Sequence, residues 1–162
     1  WSSDVCSSDL GALFRSERFD AFLLCEASFR TAFSLEIDGR RNKDWYSAEE
    51  EQELGAEDFV RWGEVRELAF QAIRGKKAPK AFRLVLRLNR QESTAFLAES
   101  GSRLRPEEVS GFYWNLQYEE KTLRLVSGVS VTAFPGDKAL EQLWDQATVA
   151  RLRAMGLVIS EL

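Results

Sequence analysis

Four segments of the chain alternate between apolar and polar residues, a pattern that is typical of strands with one buried face. The first runs over residues 29–37 and ends at an Asp-Gly pair, and the second runs over 82–88 with arginines among its polar positions. The third covers 112–118 and the fourth covers 123–131. Only a short polar link separates the last two segments, so the pattern predicts that they form a hairpin.

Helical periodicity fills the gaps between the predicted strands. Residues 64–74 carry apolar side chains at i, i+3, i+4, i+7 and i+8, which predicts an amphipathic helix that stops at Gly75. Ser47 followed by Glu50 forms a capping box for a short acidic helix. Two more helices are predicted, one over residues 90–100 and one that begins after Asp137.

Strands with one apolar face, interspersed with amphipathic helices, predict an α+β fold. In this fold the helices pack on one face of a mainly antiparallel sheet. The sequence contains no repeat, no low-complexity tract and no linker. A chain of this length can bury roughly two thirds of the surface that it exposes when unfolded. We therefore expect a single domain with one core.

The first ten residues, WSSDVCSSDL, match the in-frame translation of a sequencing-library adapter. We interpret residues 1–10 as this artefact and residues 11–162 as a single α+β domain that is truncated at its N-terminus. A lost segment would have packed against the first native residues. We therefore expect an apolar groove or an unpaired sheet edge near Leu13, Phe14 and Phe19.

Composition places the chain among ordinary globular proteins, with 30% charged and 44% hydrophobic residues. Its formal charge of −4 becomes −2 without residues 1–10, which contribute two aspartates and no basic residue. Cys25 is then the only cysteine, which predicts a reduced, cytoplasmic protein. No apolar run approaches the roughly 18–20 residues of a membrane span, so no membrane partner is expected.

Several short motifs together resemble one known family. They are FDAFL at 19–23, IDGR at 37–40, DWY at 44–46, IRGKKAP at 73–79, NLQY at 115–118, and the segment 128–145. With them, residues 11–162 resemble the domain-of-unknown-function family 5721, whose members are proteins of clostridial Gram-positive bacteria. The resemblance implies a bacterial origin and a single domain, and it supplies no activity and no catalytic residue.

The chain contains no histidine, which restricts its chemistry. No Ser-His-Asp or Cys-His nucleophile and no usual zinc cluster can be assembled from the remaining residues. The glycine and lysine at 75–76 lack the first glycine and the Ser or Thr of a phosphate loop, and a dinucleotide fingerprint is also missing. We therefore expect no catalytic residue, no metal ligand and no cofactor.

Carboxylates offer an alternative, because Glu26, Glu36 and Asp38 lie close together in the sequence. Paired carboxylates can act as acid and base or bind Mg²⁺. Asp38 can equally form a simple turn, and Glu36 can point from the strand into water. Cys25 lies in an apolar stretch and is expected to be an inert thiol. The dipeptide at 45–46, Trp-Tyr, is expected to be either a lid or a plug at the edge of the sheet.

Basic and amide residues alternate with the apolar positions of the predicted strands. If the strands share one sheet, a ligand-binding surface forms from Arg83, Arg87, Arg124, Tyr113 and Asn115, next to a basic turn with Arg74, Lys76 and Lys77. Arginines mixed with an aromatic ring and amides suit phosphate contacts and base stacking. A polyanion or nucleic acid is therefore the expected partner, and an ordinary solvated face is the alternative.

These observations favour a non-catalytic binding or regulatory module. A small carboxylate- or metal-dependent enzyme is the alternative function.

Overall fold

The computed structural model describes residues 2–5, 10–75, 77–157 and 159–161. The described strands are β1 (Ser2–Val5), β2 (Leu23–Arg30), β3 (Ser34–Asp38), β4 (Ala81–Arg87), β5 (Val109–Glu119), β6 (Thr122–Val131) and β7 (Ile159–Glu161). The described α-helices are α1 (Leu10–Arg15), α2 (Ala48–Leu54), α3 (Trp62–Ile73), α4 (Arg90–Ser100) and α5 (Lys138–Ala154). Short 3-10 turns lie at Lys43–Trp45 and Pro106–Glu108.

The strands form one sheet in the order β3-β2-β4-β5-β6-β1-β7, and every neighbouring pair is antiparallel. The predicted hairpin of β5 and β6 is confirmed, because the two strands pair from Glu119 opposite Thr122 up to Val109 opposite Val131. Helices α1, α3, α4 and α5 contribute the other wall of the core. The predicted α+β fold with an antiparallel sheet is therefore confirmed.

Large aromatic side chains join the sheet to these helices. Trp114 of β5 stacks on Trp144 of α5 with ring centroids 6.1 Å apart, and Phe14 of α1 contacts Phe82 of β4 edge to face at 5.3 Å. Trp62, Trp114 and Trp144 are completely buried. Aromatic side chains bury large areas, so these contacts supply much of the hydrophobic driving force.

The predicted strand over residues 29–37 is wrong as a single element. The chain reverses at residues 31–33, where the Thr31 amide donates to the carbonyl of Phe33, and the two halves pair as β2 and β3. Phe29 and Leu35 lie opposite each other, whereas Phe33 at the turn is 64% exposed. Alternation persists through the turn, so periodicity alone could not show the reversal.

Helix boundaries and caps agree closely with the sequence patterns. Helix α4 spans the predicted residues, and Ser47 and Glu50 form the predicted capping box of α2. The side chain of Asp137 accepts from the amide of Leu140 at 3.1 Å and caps α5. Within the predicted stripe of α3, Leu68 is 57% exposed and lies outside the core.

The expected apolar groove near the start of the domain is absent from the described residues. Leu13, Phe14 and Phe19 are each only 2% exposed. Leu13 and Phe14 belong to α1, which packs on α3, where the indole Nε1 of Trp62 donates to the carbonyl of Leu13 at 3.0 Å. Phe19 packs against the rings of Phe22 and Trp114. The predicted apolar groove at these positions is therefore wrong, because all three side chains pack into the core.

Candidate functional site

One face of the sheet points away from the core. We call it the open face: the outward-pointing side chains of β2–β6, which include Arg83, Arg87, Tyr113, Asn115, Gln117 and Arg124. Successive residues of a strand point to opposite faces, so the buried residues at the even positions of β4 and β5 leave the odd positions on this side. The predicted ligand-binding residues on β4, β5 and β6 therefore share one surface.

A row of polar side chains crosses three neighbouring strands of the open face. Gln117 of β5 lies directly opposite Arg83 of β4 on one side and Arg124 of β6 on the other. Neighbouring strands are about 4.8 Å apart, so the row places two guanidinium groups within reach of adjacent groups on one extended ligand. Val85, Asn115 and Val126 form the next row.

A glycine positions the aromatic member of the open face. Arg87 lies opposite Tyr113, and a Cβ atom on Gly111 would come within 2.6 Å of the Arg87 side chain and 2.9 Å of the Tyr113 ring. Because Gly111 has no side chain, both groups lie across its backbone. The guanidinium of Arg87 also lies 4.7 Å from the ring centroid of Phe59, a cation–π contact.

Acidic residues share the open face with the arginines. Arg83 pairs with Glu26 at 3.1 Å, and the two side chains are 49% and 55% exposed. An exposed ion pair contributes about 0–1 kcal/mol to stability, so an anionic ligand can replace Glu26 as the partner of Arg83 at little cost. Glu36 and Asp38 lie beyond Glu26 on β3, at the edge of the described sheet, whereas Glu119 of β5 lines a shallow cavity together with Arg124.

The predicted basic turn adjoins the sheet without joining the row. Arg74 and Lys77 are exposed between the end of α3 and the start of β4. The amide of Lys80 donates to the carbonyl of Arg30, which fixes the end of the turn at the end of β2. Lys76, also predicted to bind the ligand, lies outside the described residues.

The carboxylates that the sequence singled out do come together. Asp38 lies opposite Glu26, and both line a cavity of about 550 Å³ that also includes Glu36, Cys25 and Arg83. Within the described residues, no group of three or more Asp, Glu, Cys or His side chains is arranged to hold a metal ion. Asp38 also forms the predicted turn, since its Oδ1 accepts from the Arg40 amide at 2.9 Å.

Burial raises the pKa of the Cys25 thiol, although the charge of Arg87 opposes this effect. A raised pKa keeps the thiol protonated, which agrees with the expected inert cysteine.

The sequence patterns missed a buried arginine just beyond the C-terminal end of β3. The side chain of Arg41 is only 4% exposed, and its Nη atoms donate to the hydroxyl of Tyr46 at 2.9 Å and to Glu64 at 3.1 Å. Burial lowers its pKa, but the hydrogen bonds to Tyr46 and Glu64 outweigh burial and raise it overall. The only signal in the sequence was the Trp-Tyr pair: Tyr46 plugs this site, whereas Trp45 is 78% exposed.

Together, the fold and this site define a single compact α+β unit, with one sheet face in the core and an open face that carries both arginines and carboxylates. The chain belongs to the family of unknown function DUF5721, whose model matches residues 12–158. No curated protein and no solved structure matches the chain. Among the described helices, none has the length and apolar character needed to cross a bilayer.

Proposed function

We propose that this protein is a non-catalytic binding module that binds single-stranded nucleic acid on the open face. The observation that carries the proposal is the cross-strand row of Arg83, Gln117 and Arg124. Two guanidinium groups flanking an amide can contact successive phosphates while the amide bonds to a base edge or a sugar.

Tyr113 supports a single-stranded ligand. Its ring shares the surface over Gly111 with Arg87, so an aromatic group and a cation lie side by side on the open face. Unpaired bases stack on aromatic side chains and on guanidinium planes, whereas the bases of a duplex are already stacked on one another. The acidic edge at Glu36 and Asp38 would repel phosphates, which favours a path over β4–β6.

Anisotropy measurements with a labelled single-stranded oligonucleotide over a salt series test this proposal. Contacts to about three phosphates predict a slope of about −2 for the logarithm of the association constant against the logarithm of salt concentration. Arg83→Glu and Arg124→Glu should each weaken binding and flatten the slope, and Lys77→Glu should weaken it if the basic turn takes part.

The matched control is Arg103→Glu, an equal change of charge at an exposed loop position after α4. It should leave the affinity nearly unchanged. No binding at low salt, or an equal loss of affinity in the Arg103 variant, would refute the nucleic-acid site.

The carboxylate cavity favours a second candidate function, that of a small carboxylate- or metal-dependent enzyme. Its basis is the direct cross-strand pairing of Glu26 and Asp38 beside Glu36. Thermal shifts with Mg²⁺ and Mn²⁺ test it. Stabilisation that disappears in Asp38→Asn would support a metal site, and equal melting temperatures with and without metal would count against it.

We also propose a bacterial, cytoplasmic protein. The support is the family resemblance together with the thiol of Cys25, which is free and partly buried.

A further inference from the structure

Helix α2 buries none of its residues. Its capping box is complete, yet a helix of about two turns is marginal in water without tertiary packing. The surrounding segment 44–58 contains seven acidic and no basic residues. This concentration of charge stands apart from the open face, whose central strands carry arginines.

A cavity of about 380 Å³ lies beside α2. Its walls include Glu53 and Leu54 of the helix, Glu57 of the following segment, and Arg41 and Tyr46. Four carboxylates and two guanidinium groups line it in total, so its charge is negative. The volume lies within the range of about 300–1,000 Å³ that is usual for ligand pockets.

Two buried polar atoms of this cavity's lining residues have no partner among the described residues. One is the donor Nε of Arg41 and the other is the acceptor Oε2 of Glu57. The second oxygen of Glu57 is engaged, because it accepts from the amide of Arg90 at 2.9 Å. Burying a polar group without a hydrogen-bond partner destabilises the fold, so a ligand that offers both a cation and a carbonyl oxygen would be favoured here.

We propose that this cavity binds an arginine or lysine side chain of a basic peptide. The cationic head pairs with Glu57 and Glu53, and a carbonyl of the peptide accepts from Arg41. Leu54 and the ring of Tyr46 contact the aliphatic stem.

The surroundings of the cavity favour a peptide over a lone cation. Trp45 is 78% exposed and packs edge to face on Tyr46 with ring centroids 5.3 Å apart, so a second basic residue of the same peptide can lie against its face. The acidic segment 44–58 steers a basic chain towards this side of the molecule. This inference does not depend on the proposed nucleic-acid site.

The test is anisotropy with a labelled glycine–arginine peptide, compared with the same peptide containing citrulline, a neutral isostere of arginine. The arginine peptide should bind and the citrulline peptide should not. Glu53→Gln and Glu57→Gln should each weaken binding about tenfold, the loss expected for a charged hydrogen bond.

The matched control is Glu49→Gln, the same charge change on an exposed residue of α2 that does not line the cavity. Its affinity should stay close to that of the native chain. If Glu49→Gln lowers the affinity as much as the cavity variants do, the peptide is attracted by the general negative field of the acidic segment and not by a defined site. If the citrulline peptide binds as tightly as the arginine peptide, the cavity does not recognise positive charge. Either result would overturn the proposal.

Competition with free spermidine distinguishes a basic peptide from a small polyamine as the source of the cation. The proposal requires the peptide to bind more tightly than spermidine, so the opposite order would overturn it. Because Glu53 is exposed, its variant tests the site even if the change at Glu57 impairs folding.

Discussion

The indole Nε1 of Trp114 donates a hydrogen bond of 2.9 Å to the hydroxyl of Thr148, and both residues are completely buried. The same hydroxyl donates to the carbonyl of Trp144 at 2.8 Å. Strand β5 is thus joined to α5 by a fully satisfied polar contact in an aromatic core. Trp144 in turn donates to the carbonyl of Tyr113 at 3.1 Å, so α5 holds the strand that presents the open face.

Replacing this hydroxyl tests the contact. Thr148→Val keeps the volume but leaves the indole N–H without its acceptor, so the free energy of unfolding should fall by about 1–3 kcal/mol. Thr148→Ser keeps the hydroxyl and loses one methyl group, which should cost about 1 kcal/mol. Urea denaturation measures both, and a valine variant as stable as the native chain would contradict the role of the hydrogen bond.

Gly39 occupies a position that has no room for a side chain. Its amide donates to the carbonyl of Cys25 at 2.9 Å and its carbonyl accepts from Val60 at 2.8 Å, and an added Cβ would lie 1.8 Å from the carbonyl oxygen of Leu24. Gly39→Ala should therefore lower the unfolding free energy by at least about 1–3 kcal/mol, because the backbone must shift.

Gly128→Ala in β6 is the control for Gly39, because a Cβ there meets nothing within 4 Å. Its effect should stay within about 0.5 kcal/mol. Similar losses of stability in both variants would show that the close approach at Gly39 is unimportant.

The cap of α5 should make stability depend on pH. The hydroxyl of Ser102 donates to Asp137 at 2.6 Å, and this bond, with that from the Leu140 amide, lowers the pKa of Asp137. A lowered folded-state pKa gives stability that is present above the unfolded pKa of about 3.9 and is lost as pH falls through the folded value.

Asp137→Ala should therefore cost about 1 kcal/mol at neutral pH. The difference from the native chain should shrink in acid, and denaturation curves from neutral pH to below about 3 measure it. Ser102→Ala removes the largest cause of the lowered pKa of Asp137, so it should reduce the pH-dependent part of the free energy of unfolding. A difference that stays constant over the whole range would contradict this assignment.

Cys25 should be a slow nucleophile in the folded protein, because burial raises its pKa. In a Cys6→Ser background, the rate of iodoacetamide labelling should rise with a midpoint at higher pH in the folded chain than in urea. A folded-state midpoint at or below that of the unfolded chain would contradict the effect of burial.

Local chemistry explains which elements the sequence predicted well. The Ser47 cap, the Asp137 cap and the bounds of α4 depend on residues that lie within one or two turns of each other. The shared polar face of Arg83 and Arg124 also followed from alternation, once the strands were assumed to share one sheet. Patterns of this kind need no knowledge of distant partners.

Only the tertiary structure decided the rest, because it depends on contacts that are distant in sequence. The alternation from Phe29 to Leu35 fits one strand or two, and only the antiparallel pairing of β2 with β3 shows the reversal. Arg41 lies in a polar run that is indistinguishable from a solvated loop. It is buried because Glu64, 23 residues further along the chain, supplies its counter-charge, and both residues line the cavity beside α2.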